Sequence, residues 1–283
     1  MRHRLMLTLF LPIILPTMLL ISAAAQAQYE KPRNRLQLPL STPVTVRVAL
    51  PQTQLEASDA PGVSSAAAGP VGGAIAATIA DARMDRHLGP QLVRLRAEMP
   101  QRDYAAVLIE ALRAELAATE GFPVADVRTG AAAVVGDDGP LLEVDAAYYM
   151  TPYFRDFRIV LRARLTRTGQ KEPDFSQELF YDMPAQGIDY FSGPADMAAA
   201  WSRLDGARAA AHVEAGLREL ARMLAYELRR SPKFGRIPGK QREWREGQFT
   251  TYGVAETGSG ERAWLRLRNG HLASVPAAGE ADN

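Results

Sequence analysis

The chain has no cysteine among its 283 residues. Disulfides, zinc–thiolate sites, iron–sulfur clusters and thiolate nucleophiles are therefore all excluded. Histidine is also scarce: the chain has four, and no two of His87, His212 and His271 lie close together in the sequence.

Asp81 and Asp85 lie one helical turn apart near His87. One interpretation is a weak metal site, and the other, which we favour, is the solvated end of a short helix with Arg83 and Arg86 beside the carboxylates. No cofactor is predicted, and the fold must be stabilised by its apolar core.

Long apolar runs are missing except near the N-terminus. Leu5 to Ile21 is almost wholly apolar, Arg2 and Arg4 precede it, and Ala25-Gln26-Ala27 follows it. This order is that of a secretory signal peptide cleaved after Ala27, so we predict export to the periplasm. An uncleaved N-terminal membrane anchor is the alternative, because the run is long enough to span a bilayer.

Neither sign of charge dominates the sequence. The chain has 33 basic and 32 acidic residues, and removal of Arg2 and Arg4 with the signal peptide leaves a formal charge of −1. A near-neutral chain has no overall attraction to nucleic acid, which we exclude as a partner. The expected partner is another envelope protein or the inner leaflet of the outer membrane, and the sequence does not indicate an oligomeric state.

Motifs that carry catalysis are also absent. Gly72-Gly73 is not followed by the lysine and hydroxyl residue of a phosphate-binding loop. The chain has neither a G-x-S-x-G nucleophile elbow nor an S-x-x-K motif. Asp137-Asp138 and Ser192 are the candidates for a periplasmic hydrolase, although GDDG is a typical turn and Ser192 lies in a predicted loop. We therefore predict a protein without enzymatic activity, with that hydrolase and a small-ligand carrier as the alternatives.

Apolar and polar residues alternate in three consecutive segments, 142–150, 157–165 and 174–183, which short turns separate. This pattern predicts three antiparallel strands that follow one another in the sheet. A further strand is predicted at 44–48, and the strongest helical period covers 204–230. The predicted fold class is α+β, an antiparallel sheet with helices packed on one face and a C-terminal β-hairpin.

The C-terminal hairpin is predicted from the segment WLRLRNGHLASVP. Asn269-Gly270 is the preferred pair for a two-residue turn between two strands. Such a turn places Leu267 opposite Leu272 and Trp264 opposite Val275. The hairpin is either appended to the domain or added to its sheet.

The predicted domain organisation follows these composition changes. A signal peptide is predicted at 1–27, and an α+β domain at 44–231. The connecting segments are an extended leader at 28–43, a basic, proline-broken linker at 232–247, and a hairpin region with a tail at 248–283.

Arg158, Arg162 and Arg164 alternate with apolar residues and share one face of a predicted strand. One interpretation is a surface for an anionic ligand or a lipid headgroup. The other, which we favour, is the solvated face of a sheet whose arginines pair with carboxylates across the strands. The expected carboxylates are Glu143, Asp145 and Glu178.

A second candidate contact surface lies in the small-residue segment 68–89. Gly72 and Gly73 permit close approach of two backbones, and Ile75 and Ile79 lie one helical turn apart. The apolar part is too short to span a bilayer. We expect a small-residue helix that packs in the core or docks on a partner.

Several short features resemble uncharacterised exported proteins of Gram-negative bacteria. They are Gly72-Gly73 with the alanine–isoleucine run, Asp81, Arg86, Trp201 before the long helix, and the terminal LRNGHLASVP. The order of elements is also similar to that of envelope auxiliary lipoproteins that assist transporters or cell-wall synthases. This similarity implies a protein-binding module, although the chain lacks the cysteine that carries the lipid in those proteins.

Overall fold

Alternating apolar residues form the central strands of the sheet, as the sequence predicts. The structure is a computed structural model that describes residues 32–50, 52, 55–57, 89–130, 139–151, 156–184, 193–230, 242–246, 249–256, 258 and 261–277. The strands are β1 (Arg33–Asn34), β2 (Val44–Ala49), β3 (Glu56–Ala57), β4 (Val124–Thr129), β5 (Leu141–Met150), β6 (Asp156–Thr166), β7 (Phe175–Pro184), β8 (Arg242–Glu246), β9 (Phe249–Ala255), β10 (Arg262–Leu267) and β11 (Leu272–Pro276).

These strands join in one sheet of order β4-β2-β5-β6-β7-β11-β10-β9-β8, with β1 beside β7 and β3 beside β5. Strands β5, β6 and β7 form the predicted antiparallel meander. Parallel pairs join β2 to β4 and β5, β3 to β5, and β11 to β7. The sheet is therefore mostly antiparallel, and the predicted α+β class is confirmed.

The described residues include four helices, α1 (89–98), α2 (Tyr104–Ala117), α3 (Pro194–Ser202) and α4 (Gly206–Arg229). Aspartates begin two of them: Asp103 accepts a hydrogen bond from the amide of Ala106 at 2.9 Å, and Asp205 accepts one from Arg208 at 2.7 Å. These caps satisfy amide groups that have no partner inside a helix. Within the described residues, no helix combines the length and apolar character needed to cross a bilayer.

The main core lies between the helices and one face of the sheet. The predicted stripe of α4 is fully buried against the odd-numbered residues of β6 and β7, and it consists of Val213, Leu217, Leu220, Leu224 and Leu228. Helix α2 packs beside α4 and contributes Leu108, Leu112 and Leu116 to the same core. The opposite face of the sheet has no helix of the described chain on it and is called the open face below.

The predicted register of the C-terminal hairpin is wrong by one residue. The sequence predicts Leu267 opposite Leu272 and Trp264 opposite Val275. In the structure, Leu272 lies opposite Arg266, and every other pair of the hairpin shifts with it. Because side chains alternate along a strand, a shift of one residue changes which residues of β10 and β11 share a face.

The turn explains this shift. The Gly270 amide donates to the Leu267 carbonyl at 2.9 Å, and the Leu267 amide donates to the His271 carbonyl at 2.8 Å. Gly270 has φ 91°, so the loop is a three-residue turn that ends at this glycine instead of the predicted Asn269-Gly270 turn. As a result, Trp264 faces the helices and is buried in the main core.

Two predicted boundaries also change. Strand β8 lies inside the predicted linker 232–247. Its sequence has charged residues on both sides of Trp244, so it lacks the alternation of apolar and polar residues that predicts a strand. The C-terminal hairpin is part of the sheet, because β11 pairs with β7. The predicted surface at Gly72, Gly73, Ile75 and Ile79 lies outside the described residues, as does the predicted signal peptide.

Candidate functional site

The open face carries most of the charged side chains of the central strands. Strand alternation places them there, because their neighbours in sequence fill the core on the other side. Five arginines and six carboxylates belong to this set: Arg47, Arg128, Arg158, Arg162, Arg164, Asp126, Glu143, Asp145, Asp156, Glu178 and Asp182. The three arginines predicted from the sequence therefore do share one face.

Cross-strand ion pairs organise this face. Arg158 donates two hydrogen bonds to Asp182, at 2.5 and 3.0 Å, and Arg162 donates one to Glu178 at 2.7 Å. The close negative charge of Asp182 raises the pKa of Arg158 against the effect of its burial. The bidentate pair with Asp182 fixes the geometry of the Arg158 guanidinium as well as its charge.

The other predicted carboxylates lie in the same array. Glu143 pairs with Arg47 and lies directly opposite Arg164, while Asp145 lies directly opposite Arg162. Burial raises the pKa of Asp145, and Glu143 adds to this effect, whereas Arg162 and the neighbouring arginines oppose it. The arrangement is an alternating array of both signs, as the favoured sequence interpretation requires.

A small apolar cluster interrupts the charges on the open face. Val160, Phe180 and Ala273 are buried there, with Tyr149 and Leu267 packed against them. The guanidinium carbon of Arg158 lies 5.3 Å from the centre of the Phe180 ring. The cluster is already covered within the chain, so the accessible part of this face consists of the charged side chains around it, such as Arg162, which is 56% exposed.

The edge of the sheet at β4 is partly blocked. Arg113 of α2 donates a hydrogen bond of 2.6 Å to the Val127 carbonyl, which therefore already has a partner. Charged residues Asp126 and Arg128 flank this position. Both features are ways in which natural proteins protect an edge strand from pairing with another chain. The open face is therefore a better candidate for a partner surface than this edge.

Two clefts are lined by described residues. The larger has a volume of about 700 Å³ and lies between the ends of β2 and β5 and the α1–α2 connection. The smaller, of about 460 Å³, lies among loops around Pro39, Pro140 and Arg167. No histidine lines either cleft, and no metal-binding group of three or more His, Asp or Glu side chains is found in the described part of the chain. Asp137, Asp138 and Ser192 lie outside it.

His271 is the most deeply buried histidine of the described chain, with 1% of its side chain exposed. Its Nδ1 lies 3.2 Å from the Gln177 Oε1, and its Nε2 lies 4.0 Å from Glu178. Burial lowers its pKa, Glu178 opposes this effect, and Arg266 adds to it. Folding therefore lowers the pKa below its ordinary value of 6.5.

A depressed histidine pKa makes stability depend on pH. Below about pH 6.5 the unfolded chain binds a proton that the folded chain does not, so the free energy of unfolding should fall as pH is lowered through this range. His271→Gln should reduce the slope between pH 7.5 and 5.5, measured by urea unfolding. Part of the slope should remain in the variant, because burial also lowers the pKa of His212. Equal slopes in the variant and the parent chain would contradict the assignment.

Sequence reasoning missed one further group of residues, a buried polar network between α4 and the hairpin. Arg266 of β10 donates to Glu227 of α4 and, at 2.9 Å, to Glu256. Gln177 of β7 donates to Glu227 at 2.8 Å, and Tyr226 donates to Glu256. Glu256 and burial together raise the pKa of Tyr226 to about 12, so it remains a hydrogen-bond donor. The network joins α4 to β7 and to the C-terminal hairpin.

No family model matches this chain, and the search of the curated proteins finds no match either. Among solved structures, the chain is similar to a Xanthomonas campestris protein of the DUF330 family, with 14% identity and a TM-score of 0.32. That match covers 69% of this chain and 89% of the other. A second structure, titled as an uncharacterized protein, has 16% identity and a TM-score of 0.30, with coverages of 69% and 98%. Both are proteins without an assigned function, and likeness at this level carries no functional argument.

Proposed function

We propose that this chain is an exported, non-catalytic protein of the cell envelope that binds another protein through its open face. The observation that carries the proposal is the ordered array of arginine–carboxylate pairs around the Val160–Phe180 cluster. Export rests on the signal-peptide pattern of residues 1–27. The absence of catalytic motifs from the sequence supports a binding role.

The charge pattern favours a protein partner over a lipid surface. Binding to an anionic leaflet requires an excess of positive charge. The open face carries five arginines and six carboxylates on β2 and β4–β7, so their formal charges nearly cancel. Alternating charges of both signs instead suit a partner with the complementary pattern, which sets the register and the rate of association.

Site-specific photocrosslinking in the native host tests this surface. A photoreactive residue at Ala147 or Arg162, both exposed on the open face, should give a discrete crosslinked product with a partner protein. The matched control is Val93, which is 63% exposed on α1. Charge reversal by Arg164→Glu should reduce the yield at Ala147 severalfold, since like charges across an interface are unfavourable. Equal yields at Val93 and Ala147, or none at the open face, would overturn the proposal.

Cell fractionation and N-terminal sequencing of the expressed chain test the proposed export. Expression of the full chain in a Gram-negative host should give a periplasmic form whose N-terminal residue is Gln28. A product that retains Arg2 and Arg4 in the membrane fraction would favour the uncleaved anchor. A full-length product in the cytoplasm would contradict both.

A further inference from the structure

The cleft of about 700 Å³ has the size of a small-ligand pocket. Its apolar wall combines residues from three parts of the chain: Leu50 and Leu55, Met99 and Pro100, and Tyr104 with Tyr148. The rings of Tyr104 and Tyr148 meet edge to face, with their centres 5.5 Å apart. This cleft is not the closed cavity beneath the sheet that a carrier would be expected to have, because it lies at the end of the sheet.

Arg96 supplies an available positive charge in this cleft. Its Nε donates a hydrogen bond of 2.5 Å to the Leu55 carbonyl, which holds the guanidinium in place. Its two terminal nitrogens have no acceptor, and no carboxylate lies within ion-pair distance among the described residues. An arginine held in this way presents two parallel donors, the geometry that a carboxylate accepts.

Tyr104 forms a buried part of the cleft wall. Its side chain is only 5% exposed, and its hydroxyl is covered and has no hydrogen-bond partner in the described part of the chain. Burial raises the pKa of Tyr104 against the opposing effect of Arg102, so the hydroxyl stays protonated.

The remaining charges at the cleft already have partners. Arg102 pairs with Glu214 of α4. The Asp103 carboxylate caps α2 by accepting from the Ala106 amide, so it also offsets the positive end of the helix. The site therefore does not depend on the helix terminus, and Arg96 is the charge that remains available.

We propose that this cleft binds a small amphiphilic carboxylate. The carboxylate binds the terminal nitrogens of Arg96, and the apolar part packs on Leu50, Leu55 and Met99. This site is separate from the open face and does not depend on the protein-binding role proposed above.

Octanoate, with 1-octanol as its uncharged counterpart, is the probe pair for calorimetric titration of the mature chain, residues 28–283. Octanoate should bind, and octanol should bind at least about tenfold more weakly, because a hydrogen bond to a charged group contributes about 1.5–3 kcal/mol. Arg96→Gln should weaken octanoate binding by a similar factor. Tyr104→Phe keeps the ring in the cleft wall and removes only a covered hydroxyl, so it should leave octanoate binding unchanged. Arg203→Gln, an exposed arginine outside the cleft, is the matched control and should change nothing.

Three results would overturn the proposal. The first is no binding of octanoate up to its solubility limit. The second is equal affinity for octanoate and octanol, which would mean an apolar groove without recognition of the carboxylate. The third is unchanged octanoate binding by the folded Arg96→Gln chain, which would place the ligand elsewhere.

Discussion

Replacing Arg266 with methionine is expected to lower the free energy of unfolding by about 3–5 kcal/mol, among the largest effects of any single substitution in this chain. The Arg266 side chain is 1% exposed, and so is that of Glu227, to which it donates two hydrogen bonds. It also donates to Glu256 at 2.9 Å and to the Gly270 carbonyl at 3.0 Å. Removing this guanidinium leaves the buried Glu227 carboxylate with only the more distant Arg230, at 3.9 Å, as a counter-charge, which is the costly part of the change.

Urea unfolding of the chain measures this effect. Arg208→Met is the matched control, because Arg208 lies on the same α4 helix with its side chain 72% exposed, and a surface change of this kind stays within about 0.5 kcal/mol. The double variant Arg266→Met/Glu227→Leu should be more stable than Arg266→Met alone, since it removes the unpaired charge as well. A loss below about 1 kcal/mol in Arg266→Met would mean that water enters the network and replaces the guanidinium.

The network could not be predicted from sequence because its members come from distant parts of the chain. Glu227 and Arg266 belong to a helix and a strand that local patterns describe separately. In the helical period, Glu227 lies three residues after Leu224 and seven after Leu220, at the edge of the apolar stripe, and the sequence does not indicate which cation would pair with it there. Its burial follows from the docking of the hairpin on β7, a long-range event with no local signal.

Local patterns did predict the elements themselves. Alternation in 142–150, 157–165 and 174–183 predicts the meander, since each strand buries one face only. The same alternation places Arg158, Arg162 and Arg164 on one face. The predicted register of the hairpin is wrong because Asn269-Gly270 is compatible with more than one loop length. The loop length depends on which face of β10 the core buries, and the local sequence does not determine this.

The cleft was missed for a related reason. Arg96 lies near the end of α1, and Tyr104 opens α2, so neither residue belongs to a motif of its own. Leu50 and Tyr148 come to the same place only through the pairing of β2 with β5. The signal available from sequence is limited to the Asp103 cap, which fixes where α2 begins.

The position of α1, and with it the cleft, depends on Gly206 at the start of α4. A Cβ atom at Gly206 would lie 2.2 Å from the carbonyl carbon of Glu98 and 2.4 Å from the amide of Met99. These neighbours are backbone atoms, so no side-chain rotation relieves the overlap. Arg94 also holds α1 against the start of α4. It donates to the Leu204 carbonyl at 2.8 Å and to the Trp201 carbonyl at 3.2 Å.

Gly206→Ala should therefore lower the free energy of unfolding by about 3 kcal/mol, at the upper end for overpacking, because helix α1 must move as a unit. Gly89→Ala is the control: a Cβ there meets nothing within 4 Å, so its effect should stay within about 1 kcal/mol. In Gly216→Ala the new Cβ meets the movable end of Ile159 and also the ring of Tyr181, so the loss of stability should fall between the other two.

Displacing α1 also moves Arg96, so the Gly206→Ala chain should bind octanoate more weakly than Gly89→Ala does under conditions where both are folded. Unfolding by urea and titration with octanoate measure the two effects on the same samples. A Gly206→Ala chain as stable as the parent would show that the backbones of α1 and α4 do not meet as closely as these distances require.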